Sequence, residues 1–533
     1  MIAAPAPVTR PKSAPAQAGR RRPGVFGLLS PAKTRYAPAM NATTICPLIL
    51  ALVGIPFAGA QIPPRVRPPL PPAERPPLSP AERPARTNER PHRAGWQQLP
   101  SLEAPAEFQT QGDSQIGLNF VRFFLDGRRP GSDPGRAGRA PDEIFGDLAR
   151  LGATAYRQFV KADLLWDLVE PTDGQWTFSN ADAVVPHAGF VPLPTLFAMQ
   201  YASPTPPWET DPAKFRKTLG PEARRYLETV VRRYAPHVKY WELGNEMEHW
   251  RIADPGDGGL ARARRSDRVP DARPADGFSP REQGRFLAEA AAVVRANDPD
   301  AVIVLPGMAG LDGYSLETWL AGVVAGGGKD WFDVVNYHDY AGWESFALRR
   351  PRLTAALKKL GLDDKPVWLT ETGSSSDPTL TLRTDYPNSP ETQAADVFRR
   401  IVQAYGFGDS LVIWHCHAPG PAEPQNDWRG YGLCDSAGRT NLAGHAFRLL
   451  TSELVPWTKI ERLAADPRGA NVYRFTLPDG AVKTVAWGAG TCAAPAGATR
   501  FAAVAPAADG TFAWRPVAPG QPLPLSPIPV LIK

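Results

Sequence analysis

Between residues 115 and 452, eight short apolar or β-branched runs alternate with eight helix-patterned stretches, and this alternation constrains the fold more than any other feature. Strands are predicted near 115–120, 154–160, 190–199, 238–245, 301–306, 332–338, 366–371 and 410–415. Helices are predicted over 141–151, 179–188, 219–235, 280–297, 314–325, 344–360, 390–406 and 440–452. Pro221 and Pro280 fall at helix starts, where a missing N–H costs nothing. Strand followed by helix, eight times over, predicts an α/β chain closed into a (β/α)8 barrel. The competing doubly wound open sheet usually carries a glycine-rich phosphate loop after an early strand, and none is present. Gly326-Gly327-Gly328-Lys329 comes late, lacks the first glycine of such a loop, and is read as a helix C-terminus.

Residues 456–533 follow another pattern. NVYRFTL and AVKTVAW flank Pro478-Asp479-Gly480, a hairpin signal that puts Tyr473, Phe475 and Leu477 on one face. A small antiparallel, sandwich-like β domain is expected there, with 96–114 a candidate to lend it a strand. The barrel is then bounded at 95–455.

The N-terminal part is different again. The chain of 533 residues has a net charge of +6, which invites a nucleic-acid or membrane partner. The location of that charge removes the invitation. Residues 1–39 hold seven basic groups and no acid, residues 61–94 carry a net +4, and 95–533 carry a net −5. The folding part is acidic, and no nucleic-acid partner is expected. Residues 40–60 begin at Met40 and end in an apolar run with Ala-x-Ala, as a secretory signal cleaved before Gln61 does. Residues 1–39 are then an over-long start or a disordered leader. The apolar run is too short and proline-broken to span a membrane comfortably, and the product is expected to be secreted or held in the periplasm or envelope. Residues 61–94 contain eleven prolines, and PPLPPAER at 68–75 recurs as PPLSPAER at 76–83, an extended spacer with no core of its own. Export permits a disulfide, and Cys416 with Cys434 would close a single loop, although the pairing stays open.

In such a barrel, chemistry sits at the carboxyl ends of the strands. The fourth strand ends in Asn245-Glu246 and the seventh in Glu371. Two carboxyls facing one cleft are what glycosidic cleavage requires: one protonates the leaving oxygen, the other attacks the anomeric carbon or activates water. Either residue alone would be an ordinary carboxylate at a strand end.

Their surroundings resemble a known group. WELGNE at 241–246 is similar to the fourth-strand motif of clan A glycoside hydrolases, and WLTETG at 368–373 to their seventh-strand motif. Gly117-Leu118-Asn119-Phe120, Tyr156-Arg157, the series from Trp166 through Glu170, Pro171 and Gly174 to Trp176, His338-x-Tyr340 and Trp414 extend the resemblance in order along the barrel. The C-terminal β domain is similar to that of family 39 and some family 5 members. The resemblance implies a retaining enzyme with Glu246 as acid/base and Glu371 as nucleophile. That role asks Glu246 to carry a proton near neutrality, which calls for a less polar pocket beside the Glu371 charge. The resemblance also implies that Asn245 binds the sugar 2-hydroxyl, Arg157 pairs with Glu371, and Tyr337, His338 and Tyr340 lie beside the nucleophile. Trp414 would form the floor under the sugar, and His415 would line the site.

Other readings stay open. Arg157 is also a candidate partner for Glu242, which is expected to point into the barrel interior, and Trp414 a candidate for simple packing. Trp166, Trp176 and Glu170 are expected to fix the second loop. His415-x-His417, with His338 and Asp339, would be the only material for a metal hydrolase. A barrel that binds sugar without cleaving it would be expected to lack one of the carboxylates. The leading expectation is a β-glycosidase acting on an oligo- or polysaccharide, with no cofactor and no metal. The sugar, exo or endo action, and the oligomeric state are not encoded in these motifs.

Overall fold

The computed structural model describes residues 115–119, 140–158, 164–187, 189–197, 205–209, 216–249, 278–380, 388–418, 430–435, 437–466 and 469–533. The leader, the signal, the proline-rich spacer, the stretch 96–114, Phe120, Trp250 and Trp428 lie outside these residues.

The parallel strands are β1 (Gln115–Asn119), β2 (Ala155–Gln158), β3 (Val191–Pro194), β4 (Tyr240–Glu242), β5 (Val302–Val304), β6 (Val335–Asp339), β7 (Val367–Thr372) and β8 (Asp409–His415). Six of them form one curled sheet in the order β3-β2-β1-β8-β7-β6, and β4 pairs with β5. Isolated parallel bridges, Thr195 to Glu242 and Val304 to Val334, join the pair to the sheet at its two edges. The observed strands are shorter than several expected ones; β3 in particular stops at Pro194, with the bridge at Thr195 taking over.

Helices α1 (Pro141–Leu151), α2 (Ser179–Val184), α3 (Pro221–Tyr234), α4 (Pro280–Asn297), α5 (Ala321–Gly327), α6 (Phe346–Leu360), α7 (Pro390–Gly406) and α8 (Leu442–Leu454) separate the strands and follow the last one. Local chemistry sets their ends. Proline opens α1, α3, α4 and α7. Ser279 and Glu282 form a reciprocal capping box on α4, and Asn441 caps α8 by accepting from the Gly444 N–H. Residues 314–320 run into α5 as a wider helical turn, and α5 ends at the expected glycines, with Gly328 at φ 83°. α4 and α5 approach so closely that a Cβ on Gly284 would stand 2.1 Å from the Val323 carbonyl oxygen.

The barrel interior begins with an apolar layer, Ala155, Leu193, Val304, Val334, Trp368, Leu411 and Ile413. The strand residues of the other parity face the helices in the main core, where Trp319 is completely buried. The chain after α8 forms an antiparallel sheet in which β9 (Lys459–Ala465), β10 (Ala470–Thr476) and β11 (Val482–Gly488) are neighbours. β10 and β11 pair around the expected turn, with Gly480 at φ 81°. Tyr473 and Phe475 share a face as expected, both fully buried, and Tyr473 stacks on Trp487 at 5.3 Å between ring centres. The three described cysteines, Cys416, Cys434 and Cys492, are buried thiols, so no disulfide closes the loop after β8. No helix among the described residues is long and apolar enough to cross a membrane.

Candidate active site

Above the apolar layer the same strand faces carry polar side chains. Arg157 follows Ala155 by two positions, Thr195 follows Leu193, Asn336 follows Val334, and Thr370 follows Trp368. At the centre is Glu242, fully buried. It accepts two hydrogen bonds from Arg157 (Nε at 2.6 Å, Nη2 at 2.8 Å), one from the Thr195 hydroxyl at 2.9 Å, one from Asn336 Nδ2 at 2.9 Å and one from the Gly307 N–H at 3.2 Å. A buried carboxylate is tolerated when its lone pairs are filled in this way. Glu242 thereby fixes the guanidinium of Arg157, whose remaining face turns upward. There Nη1 donates to Glu371 Oε1 at 2.7 Å and Nη2 to Asn245 Oδ1 at 2.6 Å. Arg157 therefore pairs with both carboxylates that the sequence offered it.

Glu371 receives a second hydrogen bond, from the Tyr340 hydroxyl to Oε2 at 2.7 Å. Burial by itself would push its carboxyl pKa up. The nearby His338 and Arg157 charges and the Tyr340 hydrogen bond outweigh that, and Glu371 is held well below the usual carboxylate range. Glu246 lies beside it, half-buried. His338 bridges the two, with Nδ1 at 2.9 Å from Glu246 Oε1 and 3.7 Å from Glu371 Oε2. Burial pulls His338 down, but the Glu371 charge and the Glu246 hydrogen bond pull harder, and its pKa is raised. A Cβ on Gly307 would stand 2.1 Å from His338 Nε2, so the missing side chain there makes room for the imidazole. The nearest donor atoms of Glu246, His338 and Glu371 all lie within 4.8 Å of one another.

The backbone at Glu246 has φ 46°, the left-handed region that non-glycine residues rarely occupy, at a cost of about 1–3 kcal/mol. The Glu246 N–H, donating to the Gly307 carbonyl at 2.9 Å, holds this bend at the end of β4.

Two expected site residues stand elsewhere. Trp414 is fully buried on the helix-facing side of β8, its indole N–H donating to the Tyr431 carbonyl at 3.3 Å, and no sugar can rest on it. His415, one residue on, faces the cleft instead, with its ring centre 5.9 Å from that of Tyr340. Burial pushes its imidazole down to about 4, so His415 is neutral through the physiological range. Tyr337 also faces the helices, donating to Asp409 Oδ2 at 2.6 Å beneath Arg350. The strand alternates, so neighbours of cleft residues point away from the cleft. His417 turns from His415 toward Asp147 on α1, which separates the two histidines of the metal-hydrolase reading. Trp166 and Gly174 both donate to Glu170, securing the second loop as expected. Thr195, Asn336 and Gly307 were not singled out from the sequence; Asn336, two residues before His338 on one strand face, was the detectable one.

The curled parallel sheet thus carries one glutamate beyond its fourth strand and one on its seventh, with His338 between them and Arg157 held against the second. Among solved structures, the chain is similar to a family 39 glycoside hydrolase from Bacteroides cellulosilyticus WH2 (TM-score 0.53, 18% identity, 79% of this chain and 81% of that one). It is also similar to a family 39 β-xylosidase from Caulobacter crescentus (TM-score 0.50, 17% identity, 81% of this chain and 97% of that one). No family model matches the sequence. At these identities the likeness is one of fold: the chain resembles the family 39 type of barrel.

Proposed function

We propose that the protein is an exported, retaining glycoside hydrolase built on a complete (β/α)8 barrel, with Glu371 as nucleophile and Glu246 as acid/base. The observation that carries this reading is the spacing of the two carboxylates. Retaining enzymes hold the pair at about 5–5.5 Å and inverting ones at about 6.5–9.5 Å, leaving room for water. One oxygen of Glu246 and one of Glu371 lie within 4.8 Å of each other, a proximity that supports the closer, retaining arrangement.

The chemistry follows from the partners of each group. Glu371, ionised and aimed by Arg157 and Tyr340, attacks the anomeric carbon as the glycosidic bond breaks. Glu246 gives its proton to the departing oxygen. Water then enters, Glu246 takes a proton from it, and the hydroxide equivalent displaces Glu371 with a second inversion. Asn245, which Arg157 holds next to Glu246, binds the 2-hydroxyl in this reading. The substrate proposed is a β-linked glycoside of an oligo- or polysaccharide.

Glu371→Ala should lower turnover of an aryl β-glycoside by several orders of magnitude, and azide should restore it with an inverted glycosyl azide as product. Proton NMR of the first-formed sugar from the native enzyme should show retention. An inverted sugar, or a Glu371→Ala variant as active as the native protein, overturns the assignment.

A further inference from the structure

A second constellation lies outside the catalytic cleft. Asp147 on α1, His417 just after β8, and Cys434 just before α8 converge in the layer between the sheet and its helices, all three buried. Asp147 Oδ2 and His417 Nε2 stand 3.0 Å apart, and the nearest donor atoms of all three residues lie within 4.8 Å of one another. We propose that Asp147, His417 and Cys434 form a structural zinc site that fastens the loop after β8 to α1.

The donor chemistry points to that ion. One imidazole nitrogen, one thiolate and one carboxylate oxygen suit zinc, and ligands at about 2.0–2.3 Å around a tetrahedral ion stand about 3.3–3.8 Å apart. The observed 3.0 Å and the 4.8 Å bound bracket that spacing. Binding releases the Cys434 proton, so the ion would meet two anionic ligands, the thiolate and the Asp147 carboxylate. His417 binds as the neutral imidazole through Nε2. The other oxygen of Asp147 accepts from Arg150 Nη2 at 2.5 Å, which orients the carboxylate as a partner behind a metal ligand does. The fourth ligand that a tetrahedral ion needs would be a water.

The backbone already holds two of the ligands together. The Leu433 and Cys434 N–H groups both donate to the His417 carbonyl, at 3.0 Å and 2.9 Å. An ion here would tie His417 and Cys434, at the two ends of the loop after β8, to a helix. That loop carries Tyr431, whose ring lies 6.1 Å from those of both Tyr340 and His415. The metal would steady one wall of the cleft without touching substrate.

The test uses the full chain purified without chelator or metal-affinity resin. Elemental analysis should find about one zinc per chain, and cobalt exchanged into the site should show thiolate charge-transfer absorption and tetrahedral visible bands. Cys434→Ser should lose both signals, and His417→Gln should lose the zinc; Cys492→Ser and Glu371→Gln should keep both signals. Circular dichroism checks that each variant is folded, and chelation should lower the Tm of the native chain but not that of Cys434→Ser. Absence of stoichiometric metal after refolding in excess zinc overturns the proposal. So does zinc retained by folded Cys434→Ser, or zinc lost from Glu371→Gln, which would place the ion in the catalytic cluster.

Discussion

Glu371 stands on the wrong parity of its strand for a residue in the cleft. Trp368 and Thr370 face the barrel interior and Leu369 faces the helices, so strict alternation would send Glu371 outward. The pairing of β7 is irregular against both neighbours here, and the irregularity turns the carboxylate inward. Once there, its ionisation depends on named partners. Tyr340→Phe removes a hydrogen bond to the charged form, so the depressed pKa of Glu371 should rise. The acid limb of kcat/KM should move to higher pH by roughly one to two units, since a hydrogen bond to a charge is worth about 1.5–3 kcal/mol. The contribution of Glu371 to stability is present above its unfolded pKa and lost as pH falls through the folded value, so acid unfolding of the variant should begin at higher pH. Superimposed pH–rate limbs would contradict this. His338 has the opposite sign. Its folded pKa is raised, so its pairing with Glu246 and Glu371 stabilises fully below the unfolded value and fades as pH climbs through the folded one. Urea titrations should show the difference between the native chain and His338→Gln shrinking from pH 6 to pH 9.

At the scale of elements, stability rests on helix ends and close approaches. Ser279→Ala breaks the capping box of α4 and should cost about 0.5–2 kcal/mol in denaturant unfolding. Gly284→Ala drives a methyl into the Val323 carbonyl and should cost about 1–3 kcal/mol by forcing α4 from α5. If Gly284→Ala were neutral, the close approach of these helices would not matter. The helices were the most legible part of the sequence because caps and prolines are local signals: α1, α4 and α7 begin and end where expected. The strands were legible in position but not in facing. A parallel strand buried on both sides has no polar face to set its phase, so SLVIWH gave no hint that His415 and not Trp414 enters the cleft. The same ambiguity misplaced Tyr337. Motifs survive this problem when two neighbours matter together, as in Asn245-Glu246, where a bend rather than alternation orients Glu246.

At the scale of the molecule, the chain changes from helix to strand patterning at 456, and a buried cluster runs across that point. Tyr473, Phe475, Val485 and Trp487 of the antiparallel sheet belong to the same buried cluster as Phe398, Val402 and Tyr405 of α7. Gly406 makes the contact possible, since a Cβ there would stand 2.2 Å from the Tyr473 ring. Composition changed at 456 because the period changed from helix to strand, and pattern alone cannot tell a change of element type from a change of folding unit. The described residues from 115 to 533 form one compact unit. A chain ending at 455 would expose the helix surface that this aromatic cluster covers, and exposed apolar patches of that kind drive aggregation. Residues 93–533 expressed alone should therefore unfold in a single calorimetric transition, with equal calorimetric and van't Hoff enthalpies. Residues 93–455 should be insoluble or should melt well below that temperature. A soluble 93–455 chain with an unchanged Tm, or two separate transitions in the longer chain, would mean that the sheet is an independent domain.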